Sequence, residues 1–128
     1  MTSPSQDKRP VNLDISTIKL PLAAITSITH RISGLILFVG IAIVLWMFDL
    51  SLSGQADFDR LQDLLTNPLV TFIIWGILSA LAYHMVAGIK HLLLDLGIGE
   101  SKEAAPIAAA VVIMVSLLLI VMLGVWLW

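Results

Sequence analysis

Residues 64–89 read LLTNPLVTFIIWGILSALAYHMVAGI and contain no Asp, Glu, Lys or Arg. Residues 104–128 form a second stretch without charged side chains, and residues 20–48 form a third apolar run that is broken only by His30 and Arg31. A helix needs about 20 residues to cross a hydrocarbon core of roughly 30 Å. Because lipid offers no hydrogen bonds to the backbone, three such runs in one small chain favour transmembrane helices.

The composition agrees with a chain that is mostly embedded in lipid. It has 128 residues, of which 59% are hydrophobic and 12% charged, and its mean hydropathy is +1.00. We expect a tail and surface segment at residues 1–20, without a cleavable signal peptide, and one transmembrane domain at residues 21–128. The segments outside the spans are too short for a catalytic domain. The absence of Cys excludes disulfides and thiolate-ligated iron–sulfur clusters in this chain.

The predicted architecture is an all-α, up-down-up bundle of three transmembrane helices. These helices are expected at about residues 21–50, 68–96 and 106–128. Between the first two, apolar residues at helical spacing predict a short amphipathic helix on the outer surface, at about residues 57–65. Gly97 and Gly99 are expected to end the second transmembrane helix.

The distribution of charge predicts the orientation of the bundle. Basic residues lie before the first span and around the connection between the second and third: Lys8, Arg9, Lys19, Lys90 and Lys102. The other connection carries four acidic residues against one Arg: Asp49, Asp57, Asp59, Asp63 and Arg60. Cytoplasmic loops carry an excess of Lys and Arg, so the N-terminus is expected in the cytoplasm.

His84 is the first candidate for a functional residue. It follows Pro68 by sixteen residues and precedes Asp95 by eleven, which places it roughly 24 Å and 16 Å from the two ends of a helix. A neutral imidazole at that depth needs a partner. Haem iron is one such partner, and Gly88, one turn further on, would let a flat macrocycle approach the helix. A hydrogen bond to a neighbouring helix is the other interpretation.

A second cluster lies on one face of the first helix, two to three turns from its cytoplasmic end. Its members are Ser27 and the residues that follow it by three, four and seven positions, His30, Arg31 and Gly34. The guanidinium of Arg31 keeps its charge and can hold a propionate, a quinone carbonyl or a lipid phosphate, while Ser27 can donate to a carbonyl. Alternatively, Arg31 snorkels to the headgroups and His30 lies at the interface.

His91 and Asp95 continue the face of His84 toward the cytoplasmic end of the second transmembrane helix. They are candidates for a proton path from water to a reduced ligand, although both also suit ordinary interfacial positions. Lys90 lies one residue off that face and is expected to snorkel.

Two stretches resemble the motifs of a known family. The first comprises Arg9-Pro10-Val11, Ile15, Leu22 and Ser27-x-x-His30-Arg31-x-Ser33. The second comprises His84-x-x-x-Gly88-Ile89-Lys90-His91-Leu92 and Asp95-x-Gly97. The chain resembles over its whole length the larger membrane-anchor (cytochrome b) subunit of succinate dehydrogenase, respiratory complex II. Two positions depart from the family pattern, since Lys90 stands where Arg is usual and Leu94 where an aromatic residue or Met is usual.

The resemblance implies a role for each of the candidate residues. His84 is expected to be an axial ligand of haem b, the second imidazole coming from a partner anchor subunit. His30 and Arg31 are expected near the haem propionates, with Gly88 and His91 in the same pocket. Ser27 and Arg31 match the ubiquinone site.

The resemblance also implies partners and a location. These partners are a flavoprotein, an iron–sulfur protein, a second small membrane anchor, ubiquinone and lipid, without any nucleic acid, in the inner membrane of a bacterium. Succinate oxidation would belong to the flavoprotein. Two alternatives remain open at this point: the anchor of a related fumarate reductase, and a non-redox membrane assembly or transport subunit.

Overall fold

The computed structural model describes residues 14–128, apart from the side chain of Ile15. A 3-10 turn at Ile15–Thr17 precedes four α-helices. They are α1 (Leu22–Leu52), α2 (Gln55–Thr66), α3 (Pro68–Asp95) and α4 (Ala104–Leu127). The polar tail, the basic residues Lys8 and Arg9 and the motif residues Arg9-Pro10-Val11 lie outside the described residues.

The prediction of an all-α membrane protein is confirmed, since residues 14–128 contain helices and no strand. The helices α1, α3 and α4 have 31, 28 and 24 residues, and each is long and apolar enough to cross a membrane. Every helix end lies within two residues of its predicted position. The orientation of the N-terminus and the division into a surface segment and a membrane domain stay predictions.

Local sequence accounts for both ends of α3. The side chain of Asn67 accepts a hydrogen bond from a backbone N–H of the first turn at 2.9 Å, and Pro68 follows at the first helical position. At the other end Gly97 has a φ of 77°, which a residue with a Cβ rarely adopts. The N–H groups of Gly97 and Ile98 donate to α3 carbonyls at 2.9 Å, and these bonds close the helix.

The short helix α2 is amphipathic, as its apolar spacing predicts. Leu61 is buried, Leu64 and Leu65 are half-buried, and Phe58 is 39% exposed. This apolar face contacts α1 and α3, while the acidic side chains point away from the bundle or lie at its edge. A helix of this kind suits a position along the membrane surface.

Small side chains allow the three long helices to pack closely. Ala87 and Ala109 are 1% and 0% exposed, and they lie on the facing helices α3 and α4. On α1, a Cβ added to Gly40 would lie 2.9 Å from the Cγ2 of Ile77 on α3. Most large apolar side chains are exposed instead, as expected where lipid rather than water surrounds the bundle.

The segment before α1 carries one well-defined acidic group. Asp14 accepts hydrogen bonds from the hydroxyl of Ser16 at 2.6 Å and from its backbone N–H at 3.0 Å. These bonds stabilise the carboxylate, so the pKa of Asp14 is lowered below its ordinary value, the side-chain bond being the larger cause.

Candidate functional site

The candidate site lies where the first half of α1 crosses the second half of α3. The imidazole of His84 on α3 points at α1. Its Nδ1 lies 3.0 Å from the Oγ of Ser33 and 3.2 Å from the carbonyl oxygen of His30. A Cβ added to Gly34 would lie 3.1 Å from the Cε1 of His84, so the ring fits because α1 has no side chain at that position.

These hydrogen bonds define the tautomer of His84. A carbonyl oxygen can only accept, and the hydroxyl of Ser33 already donates to the carbonyl of His30 at 2.6 Å. Both oxygens therefore require a proton on Nδ1 of His84. Its Nε2 keeps a free lone pair, makes no hydrogen bond with any residue of 14–128 and is not a buried atom. A metal-ligating His usually donates its other ring N–H to a carbonyl or similar acceptor.

His30 packs directly on this imidazole. The two rings are stacked, with centroids 4.1 Å apart and an interplanar angle of 20°. The Nε2 of His30 is buried and has no hydrogen-bond partner among the described residues. It lies 3.5 Å from the position that a Cβ on Gly88 would occupy, which is an ordinary van der Waals distance, so the ring of His30 packs against α3 at Gly88.

His91 extends this arrangement toward the C-terminal end of α3. Its ring centroid lies 5.1 Å from that of His30, at an angle of 39°. The structure thus brings His84, His30 and His91 together into one row of imidazoles across the α1–α3 contact. Asp95 is exposed at the last position of α3 and forms no ion pair with any residue of 14–128.

Ser27 and Arg31 lie beside this row rather than in it. Ser27 is half-buried and Arg31 is exposed, and within residues 14–128 neither side chain has a hydrogen-bond or ion-pair partner. Helical geometry places them on the flank of α1 next to His30. Their polar groups are therefore available to a ligand or to another subunit.

Two residues for which the sequence predicts no role also lie at the site. Ser33 is one of the motif residues, and it is the side-chain acceptor for His84. Tyr83 on α3 donates from its phenol to the carbonyl of Thr26 at 3.0 Å and also lies within hydrogen-bond distance of the hydroxyl of Thr29. The sequence feature that could have indicated both residues is a polar side chain within an otherwise apolar span, next to a candidate site residue.

The donor set suits an iron that needs few protein ligands. The described residues contain no group of three His, Cys, Asp or Glu side chains that could hold a metal ion. A haem iron takes only one or two protein ligands, because the macrocycle supplies the others. The free Nε2 of His84 fits the part of one such ligand.

The sequence matches the model of a known protein family. The family model described as succinate dehydrogenase/fumarate reductase transmembrane subunit matches residues 5–123. The chain belongs to this family. The match covers all of α1, α2 and α3 and most of α4.

Several bacterial proteins are similar to this family member along most of their length, and each is named succinate dehydrogenase cytochrome b556 subunit. The protein of Coxiella burnetii is 41% identical over 122 residues, which cover 94% of this chain and 98% of that protein. The protein of Paracoccus denitrificans is 34% identical over 82% of this chain and 81% of its own length. The protein of Rickettsia felis is 33% identical over 98% of this chain and 100% of its own.

The relatives and the helices together give the location. The helices α1, α3 and α4 are long and apolar enough to cross a membrane, and the relatives come from bacteria. This family member is therefore a multi-pass protein of the bacterial inner membrane.

Proposed function

We propose that the chain is the membrane-anchor cytochrome b subunit of a succinate dehydrogenase. In this proposal it binds haem b together with a second small anchor subunit, and it forms part of the ubiquinone-reduction site. A flavoprotein partner oxidises succinate and an iron–sulfur partner passes the electrons to the membrane. The N-terminus lies in the cytoplasm, on the same side as these two partners.

The orientation of His84 is the observation that carries the proposal. Its Nδ1 proton is held by two oxygens of α1, Ser33 Oγ and His30 O, so the ring cannot rotate freely. The free Nε2 is thereby directed away from α1 and is available to an iron. Haem b bound there supplies a one-electron carrier within the membrane.

The basic groups around His84 suit the carboxylates of a haem. The Nε2 of His30 is buried without a partner, and an unsatisfied buried group of this kind costs about 1–3 kcal/mol. A propionate oxygen would satisfy it. Arg31 and His91 lie on the same, cytoplasmic side of His84 and add positive charge or hydrogen-bond donors there.

Ser27 and Arg31 suit the quinone for a different reason. Both are unpartnered within residues 14–128, and they lie about one and a half and two and a half turns, respectively, inside the end of α1 that faces the catalytic partners in this orientation. A hydroxyl and a fixed cation stabilise the negative charge that a quinone carbonyl gains on reduction. The exposed carboxylate of Asp95 is in a position to exchange protons with water on this side.

The two alternative functions differ in what supports them. The family model includes fumarate reductase subunits, but the relatives described above are named for succinate dehydrogenase, which favours that direction. A non-redox assembly or transport subunit would not need an imidazole held in one tautomer. A reduced-minus-oxidised optical spectrum of the purified complex distinguishes the redox function from this alternative.

His84→Leu tests the haem assignment. The substitution removes one axial ligand, so we expect the low-spin spectrum of the complex to change and its haem content to fall. Phe72→Leu, an exposed position on the same helix, is the matched control and should leave both unchanged. An unaltered low-spin bis-imidazole spectrum in His84→Leu would show that the ligand lies elsewhere.

Ser27→Ala and Arg31→Leu test the quinone assignment. Losing a hydrogen bond to a charged group costs about 1.5–3 kcal/mol, so we expect quinone reduction to slow by about ten- to a hundred-fold. Succinate oxidation with an artificial acceptor should stay normal, and Ser51→Ala at the other end of α1 should have no effect. Wild-type rates and quinone affinity in both variants would contradict the assignment.

A further inference from the structure

A groove lies on the flank of the α1–α3 contact beside the proposed site, and its lining includes Ser33, whose hydroxyl accepts from His84. It has a volume of about 450 Å³ and opens on the side of the bundle between α1, α3 and α4. Its walls are branched apolar side chains: Ile25, Ile32, Ile36, Ile113 and Ile120. Its floor on α3 consists of the small residues Gly76, Ser79 and Ala80, with Tyr83 at one end.

The hydroxyl groups in this groove are mostly satisfied within the protein. Thr26, Thr29 and Ser33 each donate to a carbonyl of their own helix, and Tyr83 donates to the carbonyl of Thr26. The Oγ of Ser79 has no partner within residues 14–128, but that atom is buried and does not reach the groove surface. The groove therefore presents an almost wholly apolar surface, which suits a hydrocarbon chain.

Gly76 shows that the space is open. Gly76 is exposed on α3, and a Cβ built on this residue meets no atom within 4 Å. The groove is therefore open at this point and has room for a chain of methylene groups.

A single cation lies on α3 in line with the groove. Lys90 follows Tyr83 by seven residues and Ser79 by eleven, so each of these two residues lies within about 20° of Lys90 around the helix. Asp95, the acidic residue of α3, lies about 140° away from Lys90. Within residues 14–128 Lys90 forms no ion pair, so its charge is free to meet an anion at this end of the groove.

The distance along α3 from the groove to Lys90 matches the length of a lipid in one leaflet of the bilayer. Gly76 and Lys90 are fourteen residues apart, or about 21 Å along the axis. Gly76 lies at the midpoint of the uncharged run of residues 64–89, which corresponds to the centre of the bilayer. Half of a 30 Å hydrocarbon core is about 15 Å, so Lys90 lies beyond the core, at headgroup level. A cation at that level attracts anionic lipid.

We propose that this flank binds one anionic phospholipid, with an acyl chain in the groove over Gly76 and Ala80 and the phosphate on the ammonium of Lys90. The lipid belongs to the leaflet at the C-terminal end of α3. The proposed lipid site borders Ser33 but includes none of the residues proposed to bind haem or quinone directly, and it does not depend on their assignment.

Photo-crosslinking tests this site on the assembled complex in phosphatidylcholine vesicles. The probe is phosphatidylglycerol with a diazirine in one acyl chain, and labelled residues are mapped by peptide mass spectrometry. We expect labelling of groove residues on this chain, with unlabelled phosphatidylglycerol competing about five-fold better than phosphatidylcholine, as expected for one Lys near the surface. Lys90→Gln should abolish this preference, whereas Lys102→Gln, in the exposed α3–α4 connection, should retain it.

Filling the groove provides a second, independent variant. Gly76→Leu introduces a side chain into open space and should abolish groove labelling without unfolding the protein. Val111→Leu, at an exposed position on the far side of α4, is its control and should have no effect. The proposal is overturned if the wild-type groove is unlabelled because a partner helix covers it, if both lipids compete equally, or if neither Lys90→Gln nor Gly76→Leu changes the labelling.

Discussion

Ser33→Ala probes the contact that orients His84. The substitution removes an acceptor that lies 3.0 Å from Nδ1 and leaves the carbonyl of His30, at 3.2 Å, as the other acceptor. Ser33 is 5% exposed, so water does not readily replace the hydroxyl. We expect the imidazole to keep its tautomer and to lose part of its fixed orientation.

The structure sets the size of the effect. Replacing a residue that orients a metal ligand costs about 10- to 100-fold in metal affinity. One of two acceptors survives in Ser33→Ala, which places the expected loss near the lower end, at about ten-fold or 1.4 kcal/mol. This is also the size of a strong interhelical hydrogen bond in a membrane protein, which reaches about 1.7 kcal/mol.

Haem retention is the appropriate assay. The ratio of haem to polypeptide would be measured in the purified complex, together with the rate at which haem transfers to an excess of a haem-scavenging protein. Ser116→Ala is a matched control, because Ser116 is also buried, at 2% exposed, and its Oγ has no partner within residues 14–128. Removing an unpartnered hydroxyl should leave haem retention unchanged and should not lower stability.

Two results would refute this reasoning. Wild-type haem retention in Ser33→Ala would mean that the hydroxyl does not hold the ligand. An equal loss in Ser116→Ala would mean that haem retention responds to any buried serine of the bundle, and not to the orientation of His84.

Three further outcomes concern packing. Gly40→Ala should lower the free energy of unfolding of the purified complex by about 1–3 kcal/mol, because the new Cβ would lie 2.9 Å from the stiff, branched side chain of Ile77. An unchanged free energy of unfolding would contradict the close approach of α1 and α3. Gly76→Ala should be neutral or stabilising in the same assay, since its Cβ enters open space and Ala favours helix. Trp75→Phe should lower the free energy of unfolding by about 0.6 kcal/mol, because it removes the hydrogen bond from the Nε1 of Trp75 to an α4 carbonyl at 3.1 Å. Trp46→Phe, at a 50% exposed position, should lower it by less.

The architecture could be predicted from the sequence because lipid imposes so few solutions. A backbone segment in hydrocarbon must satisfy its own hydrogen bonds, so the three uncharged runs had to be helices. The ends of a helix such as α3 also depend on nearby residues, since Pro68 and Gly97 act through their own backbone preferences. This is why the predicted and observed ends differ by no more than two residues.

The candidate site was only partly predictable. His84 stood out because an imidazole deep in a span needs a partner, and Ser27 and Arg31 because polar groups in lipid need one too. Which of these side chains meet depends on the rotation of α1 against α3, and periodicity does not define that rotation. For this reason the acceptor role of Ser33 and the bond from Tyr83 to α1 were missed.

Sequence alone determined that the chain spans a membrane three times and that it carries ionisable groups there, because burial in lipid depends on composition. Tertiary structure alone decided that His30 stacks on His84, that its ring lies against Gly88, and that the Nδ1 proton of His84 points at α1. These contacts join residues more than fifty positions apart. Their geometry follows from how closely the small residues let two helices approach, and that is a property of the packed pair rather than of either helix.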